Sequence, residues 1–323
     1  MGTRAPLPYP LLLADAGGTN LRLAMQEESS APLEIIARLR TADFPSFVAA
    51  ARHGLGHARL QPRAAAICGA GPVVAGLIQL TNGPWLLDPH EVQAALGITA
   101  CVLLNDLEAL AYALPRLAAS DLEPIGPQPS ATAARHGTRL VIGVGTGLGA
   151  AALVEHAGGM LAIATEAGMM DLAPVGADEM SLWPYVERIA GRVPVEGLLS
   201  GPGLARLDAA IRKRDGLCKS GRSPEMIVAS ARAGGDPAAA EAVERFIRLL
   251  ARVSGDLALA FKATGGVHLA GGMVAGLAGL IDGAAFRTAF EAKTLLGDLM
   301  ATIPTLLIRS DTAALLGLAA YAG

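Results

Sequence analysis

Two junctions in the chain place a carboxylate where an apolar run meets a polar turn. The first is LLLADAGGTNLRLAM, Leu11 to Met25, in which Asp15 precedes Gly17, Gly18, Thr19 and Asn20. Backbone N–H groups in a tight glycine turn converge on an anion. Glycine permits positive φ and close backbone approach, and a neighbouring carboxylate can hold hydrated Mg²⁺. The second is ACVLLNDLEALAYALP, Ala100 to Pro115, where Asn105 and Asp106 stand between a strand-like run and a helix-like run. A helix N-terminus stabilises the ionised form of a carboxyl group, and an ionised carboxylate accepts a hydroxyl proton. Each junction also has a plainer reading: Asp15 caps an ordinary hairpin turn, and Asn105 or Asp106 is only an N-cap. Two further glycine turns follow, GVGTGLGAA with Gly145, Thr146 and Gly147, and AGG with Gly271 and Gly272.

The spacing of these glycines excludes two nucleotide-binding loops. A P-loop needs GxxxxGK[ST], which the chain lacks, and a dinucleotide fingerprint needs GxGxxG opening a helix. GTGLG does not have that spacing. After Asp15 the chain opens a strand instead, because Leu21, Leu23 and Met25 alternate with Arg22, Ala24 and Gln26. Arg22 then pairs across the hairpin. Cys68, Cys101 and Cys218 are far apart, so neither a disulfide framework nor a zinc spacing is present and a reducing, cytoplasmic setting is expected. Cys68 and Cys101 sit in apolar runs and read as core thiols. His268, on an apolar strand, reads as a hydrogen-bonded core histidine. Taken alone, Glu166 and Glu196 read as surface residues and Asp171 as a turn residue.

The elements that must hold these groups alternate along the whole chain. Of 323 residues, 52% are hydrophobic and the formal net charge is -3. That length suits two domains. No basic stripe is present, so neither nucleic acid nor an acidic membrane surface is expected as a partner. The uncharged stretches 64–87 and 263–281 are broken by Gly, Pro, Asn and His, against a membrane span. The N-terminal PLLLA is too short for a signal peptide. Strands are expected at Leu11–Ala16, through Met25, at Leu33–Arg40, around AAAICGAG and GLIQLTN, and at ACVLLND. Helices are expected at SFVAAARHGL, at EVQAALG ended by Gly97, and at DLEALAYALP stopped by Pro115. Residues 116–138 read as a linker or domain crossing. LVIGVGTGLGAAALV then repeats the opening strand–turn–strand design, a candidate internal duplication. The clearest helix starts at Asp236 as N-cap with Pro237 in its first turn. GGVHLAGGMV, a strand with a glycine turn, and a closing helix, DTAALLGLAAYAG, complete an α/β pattern.

In this order the segments resemble the bacterial glucokinase family, within the sugar kinase/actin/Hsp70 superfamily. DAGGTNLRLA resembles its first phosphate loop, TNGPW (with Asn82) a sugar-side strand segment, and LLNDLEALAYALP the segment that carries its catalytic Asp. GVGTGLGAA resembles the second phosphate loop. TEAGMMDLAP and VEGLLSGPGLARLD resemble sugar-binding segments, and GGVHLAGGMV the adenosine loop. The resemblance runs nearly end to end. It implies a two-domain actin-like (ribonuclease H-like) α/β fold with an inter-domain cleft, its small domain at 1–114 plus 305–323 and its large one at 115–304. It implies an ATP:hexose 6-phosphotransferase that uses ATP and Mg²⁺, works in the cytoplasm and forms a homodimer.

By position, Asp106 would be the base and would grip the sugar together with Asn82, Asn105, Glu166 and Glu196. Asp15 would face Mg²⁺. Gly17, Gly18, Thr19, Asn20, Gly145, Thr146 and Gly147 would cradle phosphates, with Gly271 and Gly272 near the adenosine. One position departs: in the family's GEGGH segment a His follows the Glu by three residues, and here Met169 stands there, with Ala167 directly after Glu166. Methionine offers no useful donor, so one polar contact to the sugar is lost, about 1–3 kcal/mol if a partner stays unpaired. Mannose or glucosamine as the substrate, polyphosphate as the donor, and a non-catalytic sugar-binding regulator are the alternatives.

Overall fold

Leu11–Ala16 forms strand β1, buried throughout except at the half-buried Asp15. The computed structural model describes residues 5–56, 58–81, 83–129, 137–157, 159–217 and 221–323. Contacts divide the chain into two units: Met1–Ala118 with Glu155–Ala164 and Ser310–Gly323, and Ala119–Val154 with Thr165–Arg309.

In the first unit β1 pairs antiparallel with β2 (Asn20–Gln26), and β2 with β3 (Glu34–Arg40). Helix α1 (Phe47–Leu55) leads to β4 (Ala64–Gly69), parallel to β1. A small antiparallel sheet, β5 (Val73–Val74), β6 (Leu77–Gln79) and β7 (Leu86–Leu87), precedes α2 (Pro89–Leu96), which ends at Gly97 in the left-handed conformation. Strand β8 (Ala100–Asn105) lies parallel to β4 and runs directly into α3 (Asp106–Ala113). The sheet order is β3-β2-β1-β4-β8. Its inner strand β4, AAAICG, is buried along its length, as expected of a parallel strand covered on both faces. Leu12, Leu21, Leu23, Phe47 and Trp85 fill one face. Leu11, Leu13 and Cys68 meet Leu315 and Leu318 of the C-terminal helix, Ala313–Ala322, on the other. That helix packs against α3 so closely that a Cβ on Gly317 would collide with the Ala109 carbonyl.

The second unit is built on β9 (Leu122–Pro124), β10 (Arg139–Val144), β11 (Leu148–His156), β12 (Gly159–Thr165), β13 (Val267–Ala270) and β14 (Thr305–Ile308), in the order β12-β11-β10-β13-β14-β9. The outer end of the β11–β12 hairpin, 155–164, belongs to the first unit, where the Ala162 N–H donates to Tyr112 Oη at 3.2 Å. Helices α4 (Gly176–Leu182), α5 (Val195–Leu198), α6 (Gly201–Arg214), α7 (Pro224–Ala233), α8 (Pro237–Ala260), α9 (Gly272–Leu277), α10 (Gly283–Glu291) and α11 (Gly297–Ala301) complete the unit. Asp236 caps α8 by accepting the Ala239 N–H at 3.2 Å. Ala242, Phe246, Leu249, Leu250, Val253 and Leu257 on α8 are buried.

The two main sheets repeat one design. β1/β2 and β10/β11 are antiparallel, while β1/β4, β4/β8, β10/β13 and β13/β14 are parallel. Gly17 N–H donates to Asn20 O and Gly145 N–H to Gly147 O, both at 2.9 Å, so even the closing hydrogen bond of the two turns recurs. The stretch 116–138, expected as a linker, holds the unit boundary at Ala118/Ala119 and also contributes β9, which pairs antiparallel with β14. Among the described residues no single helix is long and apolar enough to cross a membrane.

Candidate functional site

Register brings the first group of residues to one level. Asp15 lies opposite Cys68, and Ala16 opposite Gly69, which lies opposite Asn105. Three strands therefore end together at their carboxyl ends, where open α/β sheets bind ligands. Asp15 Oδ2 accepts the Arg22 guanidinium at 2.9 Å, the cross-hairpin pair expected from the sequence. The Cys68 thiol donates to Oδ1 at 3.7 Å. Burial pushes the Asp15 carboxyl up, and Arg22 and the thiol oppose it. The Gly17–Asn20 turn is braced by Thr41, whose Oγ1 donates to Gly17 O at 2.8 Å and whose N–H donates to Thr19 O at 2.9 Å. Gly83, in the Thr81–Trp85 segment, comes so close to Gly18 that an added Cβ would lie 3.3 Å from its Cα. Asn82 lies outside the described residues.

Asn105 and Asp106 divide the work at the start of α3. Asn105 Oδ1 caps the helix, accepting from Leu107 N–H at 2.9 Å and Glu108 N–H at 3.4 Å, and its Nδ2 donates to Gly71 O at 3.0 Å. Glu108 Oε2 accepts the Asn105 N–H at 3.0 Å and closes a capping box. Asp106 Oδ1 also accepts the Leu107 N–H at 2.9 Å. The expectation that the helix terminus keeps Asp106 readily ionised is corrected here. Its pKa is raised to about 7, first by burial and then by Asp15, and the Leu107 N–H and the Asn105 amide offset only part of this. Desolvation outweighs the helix terminus because the group is taken out of water.

The second unit assembles the other expected residues. Gly271 caps α9 at φ 100°, and a Cβ there would collide with the carbonyl of Val144, the residue before the Gly145 turn. Gly272 is open. The Gly201 N–H donates to Gly145 O at 2.8 Å. Glu196, half-buried on α5, accepts the Leu148 N–H on Oε2 at 3.3 Å. Glu166 is exposed and starts a single 3-10 turn in which the Met169 N–H donates to its carbonyl at 2.9 Å. Met169 is 54% exposed. Asp171 is exposed and paired with Arg192 through both carboxylate oxygens at 2.7 Å. His268 is buried, 3.3 Å from Leu140 O, and its pKa is lowered to about 4 by burial, as a core histidine.

The first unit thus gathers Asp15, Gly17, Gly18, Thr19, Asn20, Asn105 and Asp106. The second gathers Gly145, Thr146, Gly147, Glu166, Met169, Glu196, Gly271 and Gly272. Sequence reasoning missed the Thr41 brace, which no local pattern announces. It also read Cys68 as a packing residue only. The Glu108 capping partner was available as Asn105-x-x-Glu108.

A duplicated sheet in which each antiparallel hairpin closes on a glycine turn, with carboxylates at strand ends, is the actin-like sugar kinase architecture. The family comparison agrees: the glucokinase family matches residues 12–323. A glucokinase of Chelativorans sp. (strain BNC1) is 40% identical over 317 residues, covering 98% of this chain and 92% of its own. The crystal structure of a glucokinase from an Antarctic psychrotroph superposes with a TM-score of 0.86 at 30% identity, covering 96% of this chain and 98% of the other. A ROK family glucokinase from Streptomyces griseus, solved with glucose and AMPPNP, shares the fold at a TM-score of 0.65 and 20% identity, covering 95% and 98%. The chain belongs to the glucokinase family.

Proposed function

We infer that this chain phosphorylates glucose at the C6 hydroxyl with ATP as donor. The observation that carries the reading is Asp106: a carboxyl group with a pKa of about 7, at the end of β8, in the same strand-end cluster as the Asp15 glycine turn. A base with a pKa near the working pH combines a useful ionised fraction with proton affinity. Asp106 Oδ1 is held by the Leu107 N–H, so the carboxylate is oriented before a sugar arrives. Asp106 takes the hydroxyl proton as the oxygen attacks the γ-phosphorus in line with the leaving β-phosphate oxygen. Asn105 sets the position of Asp106 through its cap and its bond to Gly71, and it adds an amide beside the sugar. Glu166, Glu196 and Asn82 receive further hydroxyls. The Gly17–Asn20 and Gly145–Gly147 turns hold phosphate oxygens through backbone N–H groups other than those of Gly17 and Gly145, which close the turns, and Gly271 and Gly272 back the adenosine.

Mg²⁺ fits this donor set. Among the described residues no group of three or more His, Cys, Asp or Glu could hold a metal. Mg²⁺ asks for less, keeping several waters and taking one carboxylate plus substrate phosphates. Asp15, half-buried at the end of β1, is the residue that would hold it, through coordinated water. When bound, the ion neutralises charge on the transferring phosphates. The two units are taken as the two domains of the fold, and the family resemblance supports a cytoplasmic homodimer. Light scattering against the 32.8 kDa chain mass tests the dimer.

A kinase for mannose or glucosamine is the second reading. The exposed thioether of Met169 favours it, standing where the family's sugar-contacting His would be. ADP release measured with glucose, mannose, glucosamine, fructose and galactose separates the two. Turnover with none of them, alongside measurable sugar binding, would instead indicate a regulator. Replacing ATP by polyphosphate tests the donor.

A further inference from the structure

Glu196 touches both chemistries of the second unit, and we propose that it couples them: a sugar hydroxyl held by this carboxylate fixes the phosphate turn and so tightens nucleotide binding. The inference rests on the reading of Glu196 as a sugar ligand. Oε2 accepts the Leu148 N–H at 3.3 Å, the first backbone donor after Gly145–Gly147. A Cβ at Gly147 would lie 2.7 Å from this same oxygen, and one at Gly168 would lie 3.2 Å from it. The carboxylate is therefore wedged between the phosphate turn and the Ala167–Met169 turn, and glycine on both sides leaves the room.

The surrounding backbone repeats the link. The Gly201 N–H donates to Gly145 O at 2.8 Å, Ser200 Oγ donates to Glu196 O at 2.7 Å, and the Val195 N–H donates to Met170 O at 2.8 Å. Sugar-side and phosphate-side segments thus form one hydrogen-bonded block, with the Glu196 side chain at its centre. A carboxylate has about four lone-pair sites on two oxygens, enough for a sugar hydroxyl and the Leu148 N–H at once. The bond to Leu148 is long for an N–H···O contact. A hydroxyl donating to Glu196 holds the carboxylate against the Leu148 N–H and tightens that long bond. The ordering cost is then met before the nucleotide arrives. Such coupling is reciprocal, so nucleotide tightens sugar by the same factor. Toward the phosphate turn Glu196 is a positioning residue.

Calorimetric titration of a non-hydrolysable ATP analogue, with and without saturating glucose, measures the factor. In the unmodified chain glucose tightens the analogue about fivefold or more, within the usual span of coupling. Glu196→Asp keeps the charge but shortens the reach by one methylene. Its glucose affinity falls and its coupling factor drops to near one. Glu166→Gln weakens glucose binding and retains the factor. A factor near one in the unmodified chain overturns the proposal, as does an undiminished factor in Glu196→Asp. Weakened glucose binding with full coupling in Glu196→Asp removes the coupling alone. Unchanged glucose affinity there removes the sugar-ligand reading as well. A measurement without variants completes the test: glucose alone slows hydrogen exchange at the Leu148 amide, and an unchanged rate overturns the proposal.

Discussion

A carboxyl group with a pKa of about 7 is half ionised at neutral pH, and Asp106 is in that state because burial and Asp15 together outweigh three hydrogen-bond donors. The base form is the deprotonated one, so kcat/KM for glucose should rise with pH through about 7 and level off above it. A profile flat through that region would remove Asp106 from the base role. Asp106→Asn retains the shape and the Leu107 contact but loses the proton acceptor. Turnover should fall about 10²–10⁴-fold while circular dichroism stays native. Met169→His restores a donor at the sugar-side turn, and KM for glucose should drop about tenfold. An unchanged or higher KM would mean that Met169 does not face the sugar. The place of Asp106, at a strand end before a helix, was legible from residue types alone. Its charge state was not, because desolvation and Asp15 reach it only through the folded sheet.

At the scale of the element, the β1–β2 turn depends on Thr41, distant in sequence and fully buried. Thr41→Val leaves the Gly17 carbonyl without its hydroxyl partner, at a cost of about 1–3 kcal/mol. KM for ATP should rise several-fold, with glucose binding less affected. Equal effects on both substrates would point to general unfolding instead. On β13 the folded chain holds the buried His268 at a pKa of about 4 against an ordinary 6.5. Between those values the unfolded chain binds the extra proton, so stability present above about 6.5 is lost as pH falls toward 4, by up to about 3 kcal/mol. His268→Leu should flatten this loss in urea unfolding at pH 5 against pH 7, and an unaltered pH dependence would refute it. Elements with strong periodicity or caps, such as β2 with Leu21, Leu23 and Met25 or α8 with Asp236 and Pro237, were legible. β9 was not, because Leu122–Pro124 is short and carries a proline. The structure tolerates it at a sheet edge, where one N–H fewer costs little.

Over the whole molecule, the resemblance between the Gly17 and Gly145 turns extends to strand order and pairing sense in both sheets. The two copies have diverged in chemistry. Asp15, one residue before the end of β1, corresponds to Gly143 in β10. The duplication was legible as two similar turns, whereas the matching order of distant strands needed the fold. Ligands that bind only the folded chain stabilise it by mass action, so glucose at about one hundred times its Kd should add about 2.7 kcal/mol. Galactose, if it is not a substrate, should add nothing. The first unit is assembled from three separate pieces of chain, and the last supplies the helix that seats α3 through Gly317. On the ribosome, α3 emerges long before that helix. The helix that begins with Asp106 therefore waits for its backing until Ala313–Ala322 has been made. A nascent chain stalled or cleaved in the second unit should bind no glucose tightly and spend no ATP, which makes synthesis of Ala313–Ala322 a condition of activity.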